Sequence, residues 1–295
     1  MLKREPYNWE EEYEKKLPAG LRAAGWFIQK YFQDRNIKYP AMRWIQTRLT
    51  YPAFQYLCFA YAGNIYSVLI EFYDGNASYV LDRDISNQIR ECKANDLIPC
   101  TIVLRSDNYE PVIDGNHLIL SDKHTPVAFK KREGDVRMSA WEINNFGVSI
   151  VMQDLEKEGN KIMSFCDVLN IEPQIWFEDK NGNRCYVIVN TISGSTKENT
   201  EYQINHNLLM RFINYNGFYA EVNILPNDLI AKDENGRVLM PSERFDSKNP
   251  KEILYRDHQF YINYRGLKYI EKQAAEKGVT HKKLYVVKDD LDETK

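Results

Sequence analysis

The sequence lacks the short motifs that identify common catalytic chemistries. It contains no Gly-x-x-x-x-Gly-Lys or Gly-x-Gly-x-x-Gly phosphate loop and no Gly-x-Ser-x-Gly nucleophile turn. Its five histidines show no His-x-x-x-His spacing, and its five cysteines form no Cys-x-x-Cys pair. The function must therefore be inferred from the fold and from the residue types at individual positions.

Long apolar runs and an excess of positive charge are also missing. No uncharged apolar run approaches the ~20 residues of a membrane span, and the N-terminal text MLKREPYNWEEEYEKKL lacks the apolar stretch of a secretion signal. The net charge of −3 leaves no chain-wide basic excess for a phosphate backbone, although 39 Lys and Arg residues are compatible with a local basic groove. Scattered cysteines in odd number suit a reducing compartment. We expect a cytoplasmic protein with no membrane partner.

The chain is rich in the hydrophobic and aromatic residues that form packed cores. Hydrophobic residues make up 43% of its 295 residues and aromatic residues 13%. A chain longer than ~250 residues usually divides its core, so two domains are expected.

The first half predicts helices followed by strands. A helix is expected over residues 8–33, interrupted at Pro18, and a shorter one from Pro40 in PAMRWIQTRL. The segment 54–72 is rich in aromatic and β-branched residues around Gly63-Asn64, which predicts a hairpin. A helix capped by Asp84 and the strand IPCTIVLR follow, and LILSDKHTPVAF predicts a further small hairpin.

The second half predicts a similar series. Residues 139–158 form the clearest helix, with Ser139 and Glu142 as a capping box and Gly159 as its stop. KIMSFCDVL, PQIWFED and RCYVIVNTI are expected to form an antiparallel meander, followed by a helix over 201–214 and the strand FYAEVNIL. Beyond these we expect a hairpin at 232–237, a strand in HQFYINYRGL, a helix over 268–277 and a charged, disordered tail.

The two halves share this order and, at an offset of about 120 residues, part of their text. Gly63-Asn64 falls on Gly182-Asn183, and residues 68–70 fall on 187–189. We interpret this as an internal duplication; the alternative is that hairpins look alike because few turn types suit the strand twist. The expected fold is α/β (α+β), with two tandem hairpin-helix-strand units whose mixed sheets are flanked by helices. The predicted parts are N-terminal helices over 1–50, a first unit over 51–135, a second unit over 136–285 and a tail over 286–295.

The order helix, three strands, helix, strand over residues 139–225 resembles the core of the PD-(D/E)xK nuclease superfamily. In that family an Asp on one strand and a Glu-x-Lys set on the next bind Mg²⁺ and activate water. The matching positions here are Gln174, Ile188 and Asn190. In the first half, Leu69 stands at the Glu position and Glu71 at the Lys position; a register shifted by two residues would make Glu71 the acid. The resemblance implies a restriction-endonuclease-like fold without its metal site.

Three functions follow from this comparison. The first is a non-catalytic interaction or scaffold protein, without a cofactor, whose partner is another protein. The second is a nuclease with a migrated Mg²⁺ site, for which the candidate carboxylates are Glu71, Glu142, Glu172 and Glu178.

The third is nucleic-acid binding without cleavage. The segments MRWIQTRLTYPAF and LYRDHQFYINYRGLKYIEK interleave basic and aromatic residues that can contact phosphates and stack on bases. The same text is typical of helix and strand edges over a core, and of protein interfaces. The candidate binding residues are Gln174, Asn190, Arg43, Arg48 and Arg265.

Overall fold

The computed structural model describes residues 9–37, 41–47, 57–112, 118–193, 208, 211–226 and 254–270. The chain divides into two compact units, Met1–Gly134 and Asp135–Lys295. Each unit contains a mixed sheet of six strands, and three helices accompany the two sheets in the described residues. The prediction of an α+β protein with two sheet units is confirmed.

The first unit places a sheet between two helices. Its elements are α1 (Trp9–Gln33), β1 (Met42–Ile45), β2 (Leu57–Tyr61), β3 (Asn64–Tyr73), β4 (Ser78–Tyr79), α2 (Asp82–Asn95), β5 (Ile98–Arg105) and β6 (Leu120–Ser121). The strand order is β1-β2-β3-β5-β6, and β4 pairs with the end of β3. Only the pair β3–β5, which α2 connects, is parallel.

Three local predictions in the first unit were wrong. Pro18 lies inside an unbroken α1, because the helix is held by buried side chains on both sides of it, such as Tyr13 and Ala24. Residues 42–45 form the strand β1 instead of a helix, since this short run can also alternate sides and pair with β2. The N-cap of α2 is Leu81, without a side-chain cap, whereas Asp84 lies buried in the first turn.

The predicted hairpin around residue 63 is confirmed. Its two turn residues are Ala62 and Gly63, with φ of 54° and 78°. Positive φ at both central residues matches the right-handed twist of the strands that they join.

Successive side chains of β3 point to opposite faces of the sheet, one packed against α1 and the other against α2. Val68, Ile70 and Phe72 belong to the large core that α1 completes, while Leu69 packs toward Ile85 of α2. On that second face the amide of Gln88 in α2 donates to the carbonyl oxygens of Ser67 (2.7 Å) and Cys100 (2.9 Å).

The second unit repeats the strand order with one long helix. Its elements are α3 (Ala140–Lys157), β7 (Lys161–Phe165), β8 (Ile175–Glu178), β9 (Arg184–Ser193), β10 (Asn216–Pro226), β11 (Phe260–Tyr264) and β12 (Lys268–Tyr269). The strand order is β11-β10-β9-β8-β7, and β12 also pairs with β10. The strands β7, β8 and β9 form the predicted antiparallel meander, and β9–β10 is parallel.

The capping box of α3 is confirmed. The Ser139 hydroxyl accepts a hydrogen bond from the Glu142 backbone, and the Glu142 carboxylate accepts one from the Ser139 backbone. The helix predicted from residue 268 is wrong at its start, because Lys268 and Tyr269 pair with β10. In the helix predicted over 201–214, Leu208 and Arg211 are helical. The other residues of 201–210 lie outside the described residues, as do the predicted hairpin at 232–237 and the tail.

In each unit, a glycine in a helix allows that helix to pack closely against the central strand of the sheet. A Cβ added to Gly20 of α1 would lie 2.7 Å from the Phe72 ring of β3. A Cβ added to Gly147 of α3 would lie 2.0 Å from Thr191 Oγ1 of β9. Phe72 and Thr191 occupy positions that correspond between β3 and β9, so the two units share this contact as well as the strand order.

Candidate functional site

Gln174, Ile188 and Asn190, the three positions singled out by the sequence comparison, lie together on one face of the second sheet. Gln174 directly precedes β8, whereas Ile188 and Asn190 lie two residues apart on β9. Alternation directs Val187 and Val189 into the core under α3, so Ile188 and Asn190 face away from that helix. This face is the candidate site.

Gln174 is used by the sheet itself. Its side chain is buried, and its Oε1 accepts the backbone N–H of Val189 on β9 at 2.8 Å. Its backbone N–H donates to the Val187 carbonyl at 3.1 Å. The Gln174 amide therefore serves as a hydrogen-bond partner between the strands β8 and β9.

Ile188 is fully buried by neighbouring aromatic rings. We call these rings the aromatic cluster; its members are Trp176, Tyr186, Phe212, Tyr215 and Tyr219. Trp176 lies at the centre of the cluster, with ring centroids 5.0 Å from Phe212 and 5.2 Å from Tyr215. Where a nuclease would hold its second acid, this chain has a packed apolar interior.

A glycine makes room for the aromatic cluster. A Cβ added to Gly217 of β10 would lie 2.5 Å from the Tyr186 ring, so Tyr186 lies against backbone that only glycine leaves open. The parallel pairing of β9 with β10 places Tyr186 directly beside Gly217. Gly217 thus allows the Tyr186 ring to pack closely over this face of the sheet.

Asn190 belongs to a small polar group at the border of the cluster. Its Nδ2 donates to the Tyr219 hydroxyl at 3.0 Å, and that hydroxyl donates to Glu221 Oε2 at 3.1 Å. Burial is the main cause that raises the pKa of Tyr219, and the charges of Glu221 and Glu172 raise it further; the hydrogen bond from Asn190 opposes them. Two carboxylates therefore raise the pKa of Tyr219. Of these two, only Glu172 was among the candidate carboxylates named from the sequence.

Glu142 has a structural role. Its two carboxylate oxygens accept hydrogen bonds from the Arg256 guanidinium, each at 2.8 Å, and Oε2 also accepts the Ser139 N–H at 2.8 Å. Both charged side chains are at most 5% exposed. This pair, which we call the charge clamp, ties residue 256 to the first turn of α3.

A buried aspartate beside the clamp was missed by sequence reasoning. Asp167 is fully buried, and its Oδ2 accepts hydrogen bonds from Trp141 Nε1 at 2.9 Å and Asn145 Nδ2 at 2.8 Å. The Asn144 amide donates to the Asp167 carbonyl oxygen at 2.9 Å. Two adjacent asparagines inside a helix, where their propensity is low, were the available signal.

The remaining acidic candidates are divided between the two units. Glu71 of β3 is 7% exposed, and its Oε2 lies 2.7 Å from His124 Nε2, a contact that sequence reasoning did not predict. Glu178 ends β8, where it is paired in register with Arg184 of β9. Glu172 lies two residues before Gln174 in the chain, and its charge raises the pKa of Tyr219, whereas Glu71 belongs to the first unit.

The basic candidates that the structure describes are divided between the two units. Arg43 is half-buried on β1 of the first unit, Arg265 is exposed after β11 of the second, and Arg48 lies outside the described residues. Among the described residues, no set of three or more His, Cys, Asp or Glu side chains is arranged to hold a metal ion. No described helix has the length and apolar character needed to cross a membrane.

Comparison with known proteins adds one similarity. Residues 141–270 match the model of a domain of unknown function, DUF8840. The match extends from the first turn of α3 to the residue after β12, and it therefore includes the candidate site and both partners of the charge clamp. Neither the curated proteins nor the solved structures gave a match.

Proposed function

We propose that this protein is a non-catalytic interaction or scaffold protein, built on two tandem units of a degenerate nuclease-like fold. The observation that carries the proposal is the use made of the three nuclease positions. Gln174 bonds a strand backbone, Ile188 is enclosed by rings, and Asn190 bonds Tyr219. None of these groups offers a charged ligand to a hard cation.

The expected partner is another protein, and the expected compartment is the reducing cytoplasm. The five cysteines form no disulfide, and four of them are buried. Buried thiols of this kind act as small apolar side chains and need no oxidising environment.

Metal binding and cleavage test the proposal directly. Calorimetry with Mn²⁺ on the full chain should show no tight binding, and Mg²⁺ should support no cleavage of single-stranded DNA, double-stranded DNA or RNA. Metal-dependent cleavage that EDTA stops would overturn the proposal. Glu142→Ala is unsuitable as the diagnostic variant, because it breaks the charge clamp.

A second candidate function is a nuclease with a migrated Mg²⁺ site, favoured by the polar group at Tyr219. There the carboxylates of Glu172 and Glu221 act on one hydroxyl beside the Asn190 amide. This candidate predicts cleavage that the double variant Glu172→Gln/Glu221→Gln abolishes without loss of folding. The variant Glu178→Gln, at the opposite end of β8, is the matched control.

Affinity purification from the native host complements these assays. Material that co-purifies should be identified by mass spectrometry and stained for nucleic acid, with and without added nuclease. A stoichiometric protein that survives nuclease treatment would support the interaction role. Nucleic acid alone would favour binding to nucleic acid.

A further inference from the structure

Two tryptophans of the first unit are exposed to an unusual degree. Trp26 of α1 is 58% exposed and Trp44 of β1 is 39% exposed. Single exposed apolar residues are normal on protein surfaces, but adjacent large ones are typical of binding surfaces.

The two side chains are neighbours through Gln29. Trp44 Nε1 donates to Gln29 Oε1 at 2.8 Å, and Gln29 follows Trp26 by three residues, which places both on one side of α1. The Trp26 ring meets Phe27 edge-on at 4.7 Å, and the Trp44 ring meets Phe59 edge-on at 5.9 Å. Both indoles are held by neighbours, so little side-chain freedom would be lost on binding.

The segment of sequence that carries these tryptophans differs in charge from the whole chain. Residues 15–70 contain eight Lys or Arg and one acid, Asp34, although the chain as a whole has a net charge of −3. Asp34 is paired with Lys30 at 3.0 Å. The preceding acid on α1, Glu14, lies roughly 18 Å from Trp26 along the helix, beyond the screening length of about 8 Å.

Arg22 is the cation best placed to act with the tryptophans. It is exposed and lies one helical turn before Trp26, on the same side of α1. Among the described residues no carboxylate forms an ion pair with it. We call Arg22, Trp26, Gln29 and Trp44 the tryptophan patch.

We propose that the tryptophan patch binds an acidic segment of a protein partner, with an apolar anchor side chain on the indoles and a carboxylate on Arg22. Tryptophan and arginine are the residues that most often dominate binding energy at protein interfaces. This inference deepens the proposed interaction role and rests on it.

The distribution of charge favours a protein over a nucleic acid. Arg43 precedes Trp44 on β1 and therefore faces the opposite side of the sheet, and Lys30 is already paired. Of the cations that α1 carries after Lys16, together with the one on β1, this leaves Arg22. Nucleic-acid binding draws on several phosphate contacts, whereas an apolar anchor with one charged contact suits a peptide.

Peptide display on the full-length protein tests the proposal. A library of random peptides should be selected on the wild type, and the selected peptides should then be measured by fluorescence anisotropy. We expect acidic sequences with an aromatic or aliphatic anchor. Trp26→Ala and Arg22→Glu should each weaken their binding by about tenfold or more.

Matched controls lie on α2 of the same unit. Ile89→Ala removes an exposed apolar side chain that is 45% exposed, and Lys93→Glu reverses an exposed charge. Both control variants should bind the selected peptides as the wild type does. Circular dichroism of all four variants should show that each is folded.

Three outcomes would overturn the proposal: selected peptides without acidic enrichment, binding that Trp26→Ala leaves unchanged, or tighter binding of an oligo(dT) probe than of any peptide. Dimerisation that Trp26→Ala abolishes would also overturn it, since the patch would then bind a second copy. Peptides that bind elsewhere leave the interaction role standing, whereas metal-dependent cleavage would remove that role itself.

Discussion

In the first unit, the sheet face opposite α1 is covered by α2, whose buried Gln88 bonds the backbone of two strands. In the second unit, the face opposite α3 carries the aromatic cluster, and Gln174 bonds the strand backbone from within the sheet. Both units have the same order of strands and one parallel pair beside the central strand. The same strand order can therefore have its second sheet face covered by a helix with a buried polar side chain, as in the first unit, or by aromatic side chains, as in the second.

The units also differ in where charge is buried. In the second unit, the charge clamp joins two side chains that are at most 5% exposed. The ion pairs described in the first unit all include at least one side chain more than 20% exposed. Exposed pairs contribute little, so the first unit relies on its apolar core.

Removing one partner of the clamp should have the largest effect. Glu142→Ala leaves the Arg256 charge buried without its partner, and we expect the second unit to lose about 3–5 kcal/mol of unfolding free energy. Hydrogen exchange should increase in α3 and β9 and stay unchanged in the first unit.

The matched control is Glu11→Ala, which removes the exposed pair with Lys15 and should leave the free energy of unfolding nearly unchanged. A double variant, Glu142→Leu/Arg256→Met, should recover much of the lost stability, because apolar residues can replace a buried ion pair. Equal losses in the single and double variants would contradict this account.

Two helical glycines, one from each unit, should differ in the sign of their effect on stability. Gly147→Ala forces Thr191 to move, because the added Cβ would lie 2.0 Å from its Oγ1, and we expect a loss of about 2–3 kcal/mol. Gly25→Ala in α1 meets Leu57 at 3.8 Å, an ordinary contact, and should gain about 0.5–1 kcal/mol through helix propensity. Urea unfolding of both variants measures these values, and a loss at Gly25 would show that α1 packs more tightly than described.

The two glutamines should behave alike despite their different surroundings. Gln88→Ala removes the side-chain donor of two backbone carbonyls, and Gln174→Ala removes the side-chain acceptor of one backbone N–H; each should cost about 1–2 kcal/mol. Thermal unfolding with hydrogen exchange assigns each loss to its own unit. A negligible effect of Gln174→Ala would show that the amide is free to serve as a ligand.

The smallest expected difference concerns two turns. The Asn183 side chain and backbone N–H groups lower the pKa of Asp179, whereas the backbone N–H groups of Ala77 and Asn76 lower the pKa of Asp74. Asn183→Ala should raise the pKa of Asp179 toward its ordinary value and leave that of Asp74 unchanged.

A lowered pKa in the folded state stabilises the turn above the unfolded pKa, and this contribution is lost as pH falls through the folded pKa. Carboxyl carbon shifts measured by NMR between about pH 6 and pH 2 report both groups in one sample. Equal movement of the two aspartates would show that the variant disturbs more than its own turn.

The sequence alone was sufficient for elements whose signals are local. The capping box of α3 and the turn at Gly63 are recognisable because their residues lie within a few positions of each other. The strand β1 was mistaken for a helix because a run of four residues fits either period.

The site depended on contacts that no local pattern encodes. The partner of Glu142 lies 114 residues away, and Glu71 meets a histidine 53 residues later in the sequence. The resemblance identified Gln174 and Asn190 as positions of interest, but their hydrogen-bond partners follow from strand pairing. Side-chain pairing between distant segments is decided by the packed fold.

The charge clamp also constrains the order of events during synthesis. At roughly 5–20 residues per second, Arg256 leaves the ribosome some seconds after Glu142, since 114 residues separate them. Throughout that interval the first turn of α3 carries an acid whose counter-charge has not yet been made. The second unit therefore cannot complete its interior while its chain is still short, whereas every residue of the first unit has been made once residue 134 is added.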